Sequence, residues 1–441
     1  MPRRHKILSA EPVAAQIESL SHEGRGIAYV NGKTTFIDGT LPGEKVLFQY
    51  RRRRARYDEG KLTEIINPSP ERVDAPCEHY DQCGGCSLQH TTPQFQIERK
   101  QAVLLEQLQY IGRVQPEQIL PPLAGPVWGY RRKARLSVKY VEKKGRVLVG
   151  FLEKYSPYVA DLKSCVVLQP SVGLILTDLQ TVISQLSVHR KIPQIEIAVT
   201  DKTTALVFRH IMPLTESDLA ILKKFEDKHK VDIYLQPAGL ESVTPLSPGN
   251  ATALSYCLPE HNVEIFFEPT DFIQNNYEIN VAMVNLALEL LEPGGSDHVL
   301  DLFCGLGNFS LPLARKSARV TGVDGDTGLI ERARSNSRHN KVTNIEFHIA
   351  NLADQDLQAG FLQHEYQKVL LDPPRAGAPE IIYNMDFKGV KRIVYVSCNP
   401  ATLARDAGIL VETKGFHLQK AGVMDMFPHT SHIESIALFV R

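Results

Sequence analysis

Nowhere in the 441-residue chain does an apolar run approach the ~20 residues that a membrane span requires, so no spanning helix is expected. The basic opening, MPRRHKILSA, is followed by no apolar stretch, so it is not read as a secretory leader, and the cytoplasm is the expected compartment. A net charge is missing too. Fifty Lys and Arg balance fifty Asp and Glu, and the total points to no partner. An even cysteine set is also lacking. Seven cysteines in a long chain without a leader argue against a disulfide framework and for metal binding or catalysis. Internal repeats and low-complexity tracts are absent, which excludes solenoids and disordered linkers.

What is present is the composition of a globular protein, 43% hydrophobic and 23% charged, long enough for two or three domains. Charge is concentrated locally. Between Arg131 and Lys163 ten Lys/Arg face three Asp/Glu, and Arg51 to Arg54 run unbroken with Arg56 close by. Such excess suits a phosphate backbone, although a solvated basic face explains it as readily.

The first 70 residues read as short strands, Val13–Ser19, Gly26–Val30, Lys33–Ile37, Lys45–Tyr50 and Gly60–Ile66, between Gly, Asn-Gly and Pro-Gly turns. Five strands in so little chain predict a small closed barrel of a kind that often binds nucleic acid. Residues 71–269 open with a cysteine-rich loop and a helix over Thr92–Gln109, then turn mostly strand-like, with one helical stretch at Glu216–His229. They predict an α+β unit. From 270 to 441 the rhythm changes. Helix Glu278–Leu291 leads into strands at His298–Phe303, Arg319–Val323, Ile345–Ala350, Lys368–Leu371 and Arg392–Ser397, with helices between most of them. That alternation predicts a parallel, doubly wound, Rossmann-like sheet whose ligands bind beyond the carboxyl ends of its strands.

Each of those strand ends carries a signature. Cys304-Gly-Leu-Gly-Asn-Phe309 follows the first, and its two glycines let backbone turn tightly against a ligand. The third glycine of a dinucleotide fingerprint is missing. Asp324 ends the next strand, where a carboxylate can accept both hydroxyls of a ribose. An adenosine without phosphates fits this pattern, as in S-adenosylmethionine. A tight structural turn is the plainer alternative. Asn351 closes the third strand, and Asp372-Pro-Pro-Arg375 the fourth, in a turn stiffened by proline.

Ser397-Cys-Asn-Pro400 ends the fifth strand and should bring Cys398 to the same edge. A thiolate there could add to carbon 6 of a uracil and make carbon 5 nucleophilic toward a methyl sulfonium, after which a base must remove the carbon-5 proton. Glu434, in Phe427-Pro-His-Thr-Ser-His-Ile-Glu434, is the candidate base; with His429 and His432 it could instead ligate a metal. A buried structural cysteine is the competing reading of Cys398.

Taken together and in order, Asp271-Phe-Ile-Gln274, Asp301-Leu-Phe-Cys-Gly-Leu-Gly-Asn308, Asp372-Pro-Pro-Arg375, Ser397-Cys-Asn-Pro400 and His432-Ile-Glu434 resemble the motifs of the RNA uracil-5-methyltransferase family. Within it the likeness is greatest to the branch that acts on 23S ribosomal RNA, which joins an N-terminal TRAM barrel, a [4Fe–4S] cluster and a Rossmann-like catalytic domain. The resemblance implies Cys398 as nucleophile and Glu434 as base. It places Gln274, Phe303, Asn308, Asp324, Asn351 and Asp372 on positions that bind S-adenosylmethionine. Asp324 departs from the Glu common in the family. The expected partner is 23S ribosomal RNA, and no membrane or protein partner is implied.

Cys77, Cys83 and Cys86 share one compact loop, and Cys165 is the remaining thiol suited to a fourth ligand before the catalytic domain. Four thiolates suit zinc or an iron–sulfur cluster, and spacing does not separate the two. The resemblance implies the cluster. Three rival functions remain. A radical methylthiotransferase would space its cysteines C-x3-C-x2-C, unlike the x5 gap here. A non-catalytic RNA-binding iron–sulfur protein would have no need of Cys398 or Glu434. A relative acting on transfer RNA or another ribosomal uridine typically lacks the barrel.

Overall fold

In the computed structural model, residues 11–249 and 251–441 are described; the basic opening decapeptide lies outside them. The first unit holds β1 (Val13–Gln16), β2 (Ser19–Leu20), β3 (Gly26–Val30), β4 (Lys33–Asp38), β5 (Lys45–Arg53) and β6 (Asp58–Asn67), in the order β1-β5-β6-β4-β3-β2. β1 and β2 are successive pieces of one stretch, the first paired with β5 and the second with β3, so the sheet closes into the expected barrel. Ile17, Ala28, Ile37, Val46 and Phe48 fill it. Gly60 makes room: a Cβ there would lie 2.5 Å from the Phe48 ring. Arg72 locks the barrel to the next segment by donating to the buried Glu44 carboxylate at 2.6 and 2.8 Å.

Helix α1 (Pro93–Gln107), capped by the Thr92 hydroxyl, ends in one π turn over Leu108–Gly112. Gly112 lies so close to a C-terminal helix that a Cβ would meet the Ala404 carbonyl at 2.3 Å. The strand β7 (Gln118–Ile119) then joins the edge of the C-terminal sheet. Both α1 and β7 therefore pack on the last layer of the molecule although they precede residue 270 by far.

The middle sheet contains β8 (Lys133–Val141), β9 (Arg146–Gly150), β10 (Gln194–Val199), β11 (Thr204–Arg209), β12 (Asp232–Gln236) and β13 (Thr244–Pro245), ordered β13-β12-β11-β10-β8-β9. Helices α2 (Pro170–Gly173), α3 (Leu176–Gln185) and α4 (Glu216–His229) accompany it, and α4 opens on a Thr215/Asp218 capping box. A hairpin, β14 (Ser255–Leu258) and β15 (Val263–Phe266), leads out.

The C-terminal layer follows α5 (Tyr277–Leu291). It contains β16 (His298–Leu302), α6 (Ser310–Ala314), β17 (Arg319–Asp324), α7 (Thr327–His339), β18 (Ile345–Ile349), β19 (Lys368–Leu371), α8 (Pro379–Asn384), β20 (Arg392–Ser397), α9 (Pro400–Glu412), β21 (His417–Met424) and β22 (Glu434–Val440). The sheet order is β18-β17-β16-β19-β20-β22-β21-β7, parallel through β20 and then antiparallel at β22. Two apolar layers, one around α5 and one around α9, bury its faces. The chain reverses its direction of winding at β16, and the crevice between β16 and β19 is the switch point where such sheets bind ligands.

Candidate active site

Backbone geometry at the end of β16 is unusual for the residues present. Phe303 has φ of 65°, a left-handed conformation that costs a side-chain-bearing residue on the order of 1–3 kcal/mol, and Gly305 and Gly307 follow at 51° and 92°. The Gly305 N–H donates to the Asp324 carboxylate at 3.0 Å, and Asp326 N–H donates to its other oxygen at 2.9 Å. One turn and one strand end are thereby fixed to each other, with Asp324 still half-exposed toward the crevice.

Beneath this turn, the Asn308 and Asn280 side-chain amides exchange hydrogen bonds of 2.9 and 3.1 Å, and the Tyr256 hydroxyl donates to Asn308 at 3.0 Å. Gln274 lines a small cavity with Tyr256, Phe267, Tyr277 and Asn280, so it reaches the Asn308 group through shared neighbours. Its loop is held by Asp271, which accepts from Arg332 at 2.6 Å and from the Glu268 N–H at 2.7 Å. Asn351, exposed beyond β18, accepts from the Ala353 N–H at 3.2 Å.

Strand β22 accounts for the other half of the site. Ser397 of β20 pairs with Ser435 of β22, so the next residues along each strand, Cys398 and Glu434, come to the same edge, close enough for the carboxylate to act on the thiol. Burial raises the Cys398 thiol to about 11, and the Glu434 and Asp372 carboxylates push the same way while Arg375 opposes them. Burial also lifts Asp372 to about 7. Glu434 is raised well above the usual carboxylate range by burial and by Asp372. Three acids thus compete for negative charge in a dry pocket, with Arg375 the nearby cation. Arg375 donates to His432 Nδ1 at 3.0 Å.

Asp301 belongs to this edge as well, and its signal was hidden inside the glycine-turn motif. It is fully buried, accepts from the Ser310 hydroxyl, keeps one oxygen without a hydrogen-bond partner, and is raised to about 8 by burial. Asn280 and Tyr256 were equally invisible, because only long-range packing brings them to Asn308.

The segment leading to Glu434 is anchored from outside its own sheet. Lys100 of α1, buried, donates to Asp425 at 2.7 Å and to the Phe427 carbonyl at 2.9 Å. The N–H groups of Ser87 and Leu88 donate to the His429 carbonyl at 2.9 and 3.0 Å, directly after Cys86. Gln96 brackets His429 from the other side and Trp128 stacks on its ring at 3.7 Å. His429 therefore serves packing, and His429, His432 and Glu434 do not gather as a metal triad: among the described residues the one set of three or more candidate ligands within 4.8 Å of one another lies elsewhere.

Cys77, Cys83, Cys86 and Cys165 line one small cavity with His79, Tyr80, Gln89 and Arg131. Burial pushes the Cys77 and Cys83 thiols up and Cys86 to about 12, despite donors to sulfur from the backbones of His79 and Gly85 and the side chain of Gln89. The basic run of the barrel is divided. Arg51 pairs with Glu59 at 3.0 Å and lies 3.5 Å over the Tyr155 ring, and Arg53 reaches the buried Asp58 at 3.4 Å. Arg52, Arg54 and Arg56 are exposed.

Fold and site together define a methyltransferase with a Rossmann-like sheet and an appended nucleic-acid-binding barrel. The family described as tRNA (Uracil-5-)-methyltransferase matches residues 258–441, and the TRAM domain matches residues 12–47. A 23S rRNA (uracil(1939)-C(5))-methyltransferase RlmD of Nitrosococcus oceani is 53% identical over 99% of this chain and 98% of its own. The enzyme of that name from Methylococcus capsulatus is 49% identical over 99% of both. A solved structure of a Pyrococcus abyssi tRNA (uracil-54, C5)-methyltransferase, in complex with S-adenosyl-L-homocysteine, shares the fold with a TM-score of 0.76 at 23% identity, covering 97% of this chain and 99% of that one. The chain belongs to the RlmD family of 23S rRNA (uracil-C5)-methyltransferases. It is an S-adenosylmethionine-dependent enzyme, and no helix among the described residues is long and apolar enough to cross a membrane.

Proposed function

We propose that the chain methylates carbon 5 of a uridine in 23S ribosomal RNA, through a transient bond between Cys398 and carbon 6. The observation that carries this reading is the pairing of β20 with β22, which brings the Cys398 thiol and the buried Glu434 carboxylate into each other's electrostatic reach at the ligand-binding edge. S-adenosylmethionine supplies an electrophilic methyl when bound. Gln274, Phe303, Asn308, Asp324, Asn351 and Asp372 are the residues proposed to hold it: Asp324 at the ribose, the Phe303 turn and Asn308 beneath, Asp372 and Asn351 at the neighbouring strand ends.

Cys398 releases its proton to solvent and its sulfur bonds to carbon 6, moving the ring electrons to carbon 5 and the carbonyl oxygen. Arg375 favours both the thiolate and the ionised form of Glu434. Carbon 5 takes the methyl. Glu434, held dry and therefore strongly basic once ionised, removes the carbon-5 proton; the ring double bond re-forms as the carbon–sulfur bond breaks and the thiolate departs. The target base must leave any stack to reach this pocket, and Arg52, Arg54 and Arg56 on the barrel are placed to meet RNA phosphates.

The four cysteines are proposed to hold a [4Fe–4S] cluster. The four thiols line one cavity, as zinc or a cluster would require, and the likeness to the family favours the cluster. N–H donors on Cys77, Cys83 and Cys86 suit cluster sulfurs, and the centre would ease the crowding of buried thiolates. Its role here is structural. A ribosomal RNA substrate supports the cytoplasm as the compartment.

Replacing Cys398 with Ala tests the reading. Methyl transfer should fall below detection while RNA affinity stays within about twofold of the parent protein. Retained turnover would refute it.

A further inference from the structure

The face of the C-terminal sheet covered by the 360–366 segment carries a second cluster of metal-ligating side chains, separate from the four cysteines of the N-terminal half and unused by methyl transfer. His298 is the first residue of β16, Glu346 the second of β18, and His364 lies in the loop entering β19. One ligand atom from each lies within 4.8 Å of the others. From His298 to the Phe303 turn is five strand residues, or ~16 Å at ~3.3 Å each, so the cluster sits at the end of the sheet opposite Cys398.

We propose that His298, Glu346 and His364 bind a divalent transition-metal cation of the zinc class. Two imidazoles and a carboxylate are a ligand set such cations favour, and tetrahedral binding calls for one further ligand beside these three. The surroundings orient the set. Thr321 Oγ1 lies 2.8 Å from His298 Nε2 and donates to Glu346 Oε1 at 2.9 Å. Arg319 donates to the other carboxylate oxygen, Oε2, at 2.7 Å, so it fixes the plane of the carboxylate while leaving Oε1 toward the histidines. His364 Nδ1 stands 3.8 Å from that oxygen. His348 Nε2, 3.7 Å from the same oxygen, is shielded from solvent and has no hydrogen-bond partner. A shielded imidazole nitrogen without a partner is a costly arrangement, and a cation at Glu346 would give it one as the fourth ligand. His364 is exposed on an irregular loop and can swing the short distance that tetrahedral bonding at ~2.0–2.1 Å requires.

The test uses the full-length protein and Co2+ as a spectroscopic probe, because nitrogen and oxygen ligands give visible bands without the intense thiolate charge transfer that a cysteine site would show. The proposal expects one thiolate-free equivalent at micromolar Co2+, displaced by Zn2+. His298→Asn and Glu346→Gln should each weaken it by more than about 100-fold, beyond what loss of a merely orienting partner does. His364→Ala, at an exposed position where folding is insensitive, should do the same, while Cys83→Ser leaves this equivalent in place. Zn2+ should also raise the melting temperature of the parent protein and not that of His364→Ala. A thiolate-free equivalent that survives His364→Ala and His298→Asn, or none at micromolar Co2+ in the parent protein, overturns the proposal.

Discussion

At the scale of single residues the site is a contest over protons. Asp301, Asp372, Glu434 and Cys398 are all driven toward their neutral forms by burial, and Arg375 is the cation that favours ionisation of Cys398 and Glu434. Asp301 makes the cost measurable. Its acid is raised to about 8 from 3.8, so the folded chain keeps a proton that the unfolded chain releases. The stability it lends is complete below pH 3.8 and drains away as pH climbs to 8. Asp301→Asn, which stays neutral, should therefore melt higher than the parent at about pH 9 and depend less on pH; equal melting curves at that pH would contradict the burial argument. Cys398 and Glu434 draw the eye in the sequence because polar residues at a strand end and in a short motif stand out locally. Asp301 does not, because a carboxylate in a buried apolar strand announces itself only once its neighbours are known.

At the scale of elements, the parallel strands through β20 were legible from apolar runs bounded by turns, and their observed limits differ from expectation by at most one residue. The antiparallel pair β21–β22 was not read. The segment before Glu434 carries no turn signal that marks a hairpin, and the strands are joined by a loop whose shape is set by α1 and by the cysteine loop. The buried Lys100–Asp425 pair is the clearest of those restraints. Lys100 is buried with its ammonium lowered by burial and supported by Asp425. Lys100→Met should destabilise the protein by about 3–5 kcal/mol, since it strands a buried carboxylate, and adding Asp425→Asn should recover a large part. Denaturant unfolding of the two variants measures this; a loss under about 1 kcal/mol for Lys100→Met would show the pair to be incidental.

At the scale of the whole molecule, the three regions are interlocked rather than strung together. The barrel is tied to its linker by Glu44 and Arg72, α1 and β7 belong to the C-terminal layer, and the loop of Cys83 and Cys86 holds the carbonyl of His429 five residues before Glu434. The loss of Cys83 should therefore be felt at Glu434. Cys83→Ser is expected to lose iron, melt lower and turn over more slowly. An iron-free Cys83→Ser protein that melts, binds RNA and methylates like its parent would break this link. Periodicity and turn chemistry outline units but carry no information on which loop crosses to which sheet, and that explains why the interlocking was not legible.

All of this converges on one bond, between the sulfur of Cys398 and carbon 6 of the target pyrimidine. RNA carrying 5-fluorouridine, incubated with the enzyme and S-adenosylmethionine, tests it directly, because fluorine at carbon 5 cannot leave as a proton does. The account predicts a stable protein–RNA adduct whose mass includes the transferred methyl and whose link maps to Cys398. An enzyme that methylates ordinary RNA yet forms no such adduct, or forms it through another residue, would contradict it.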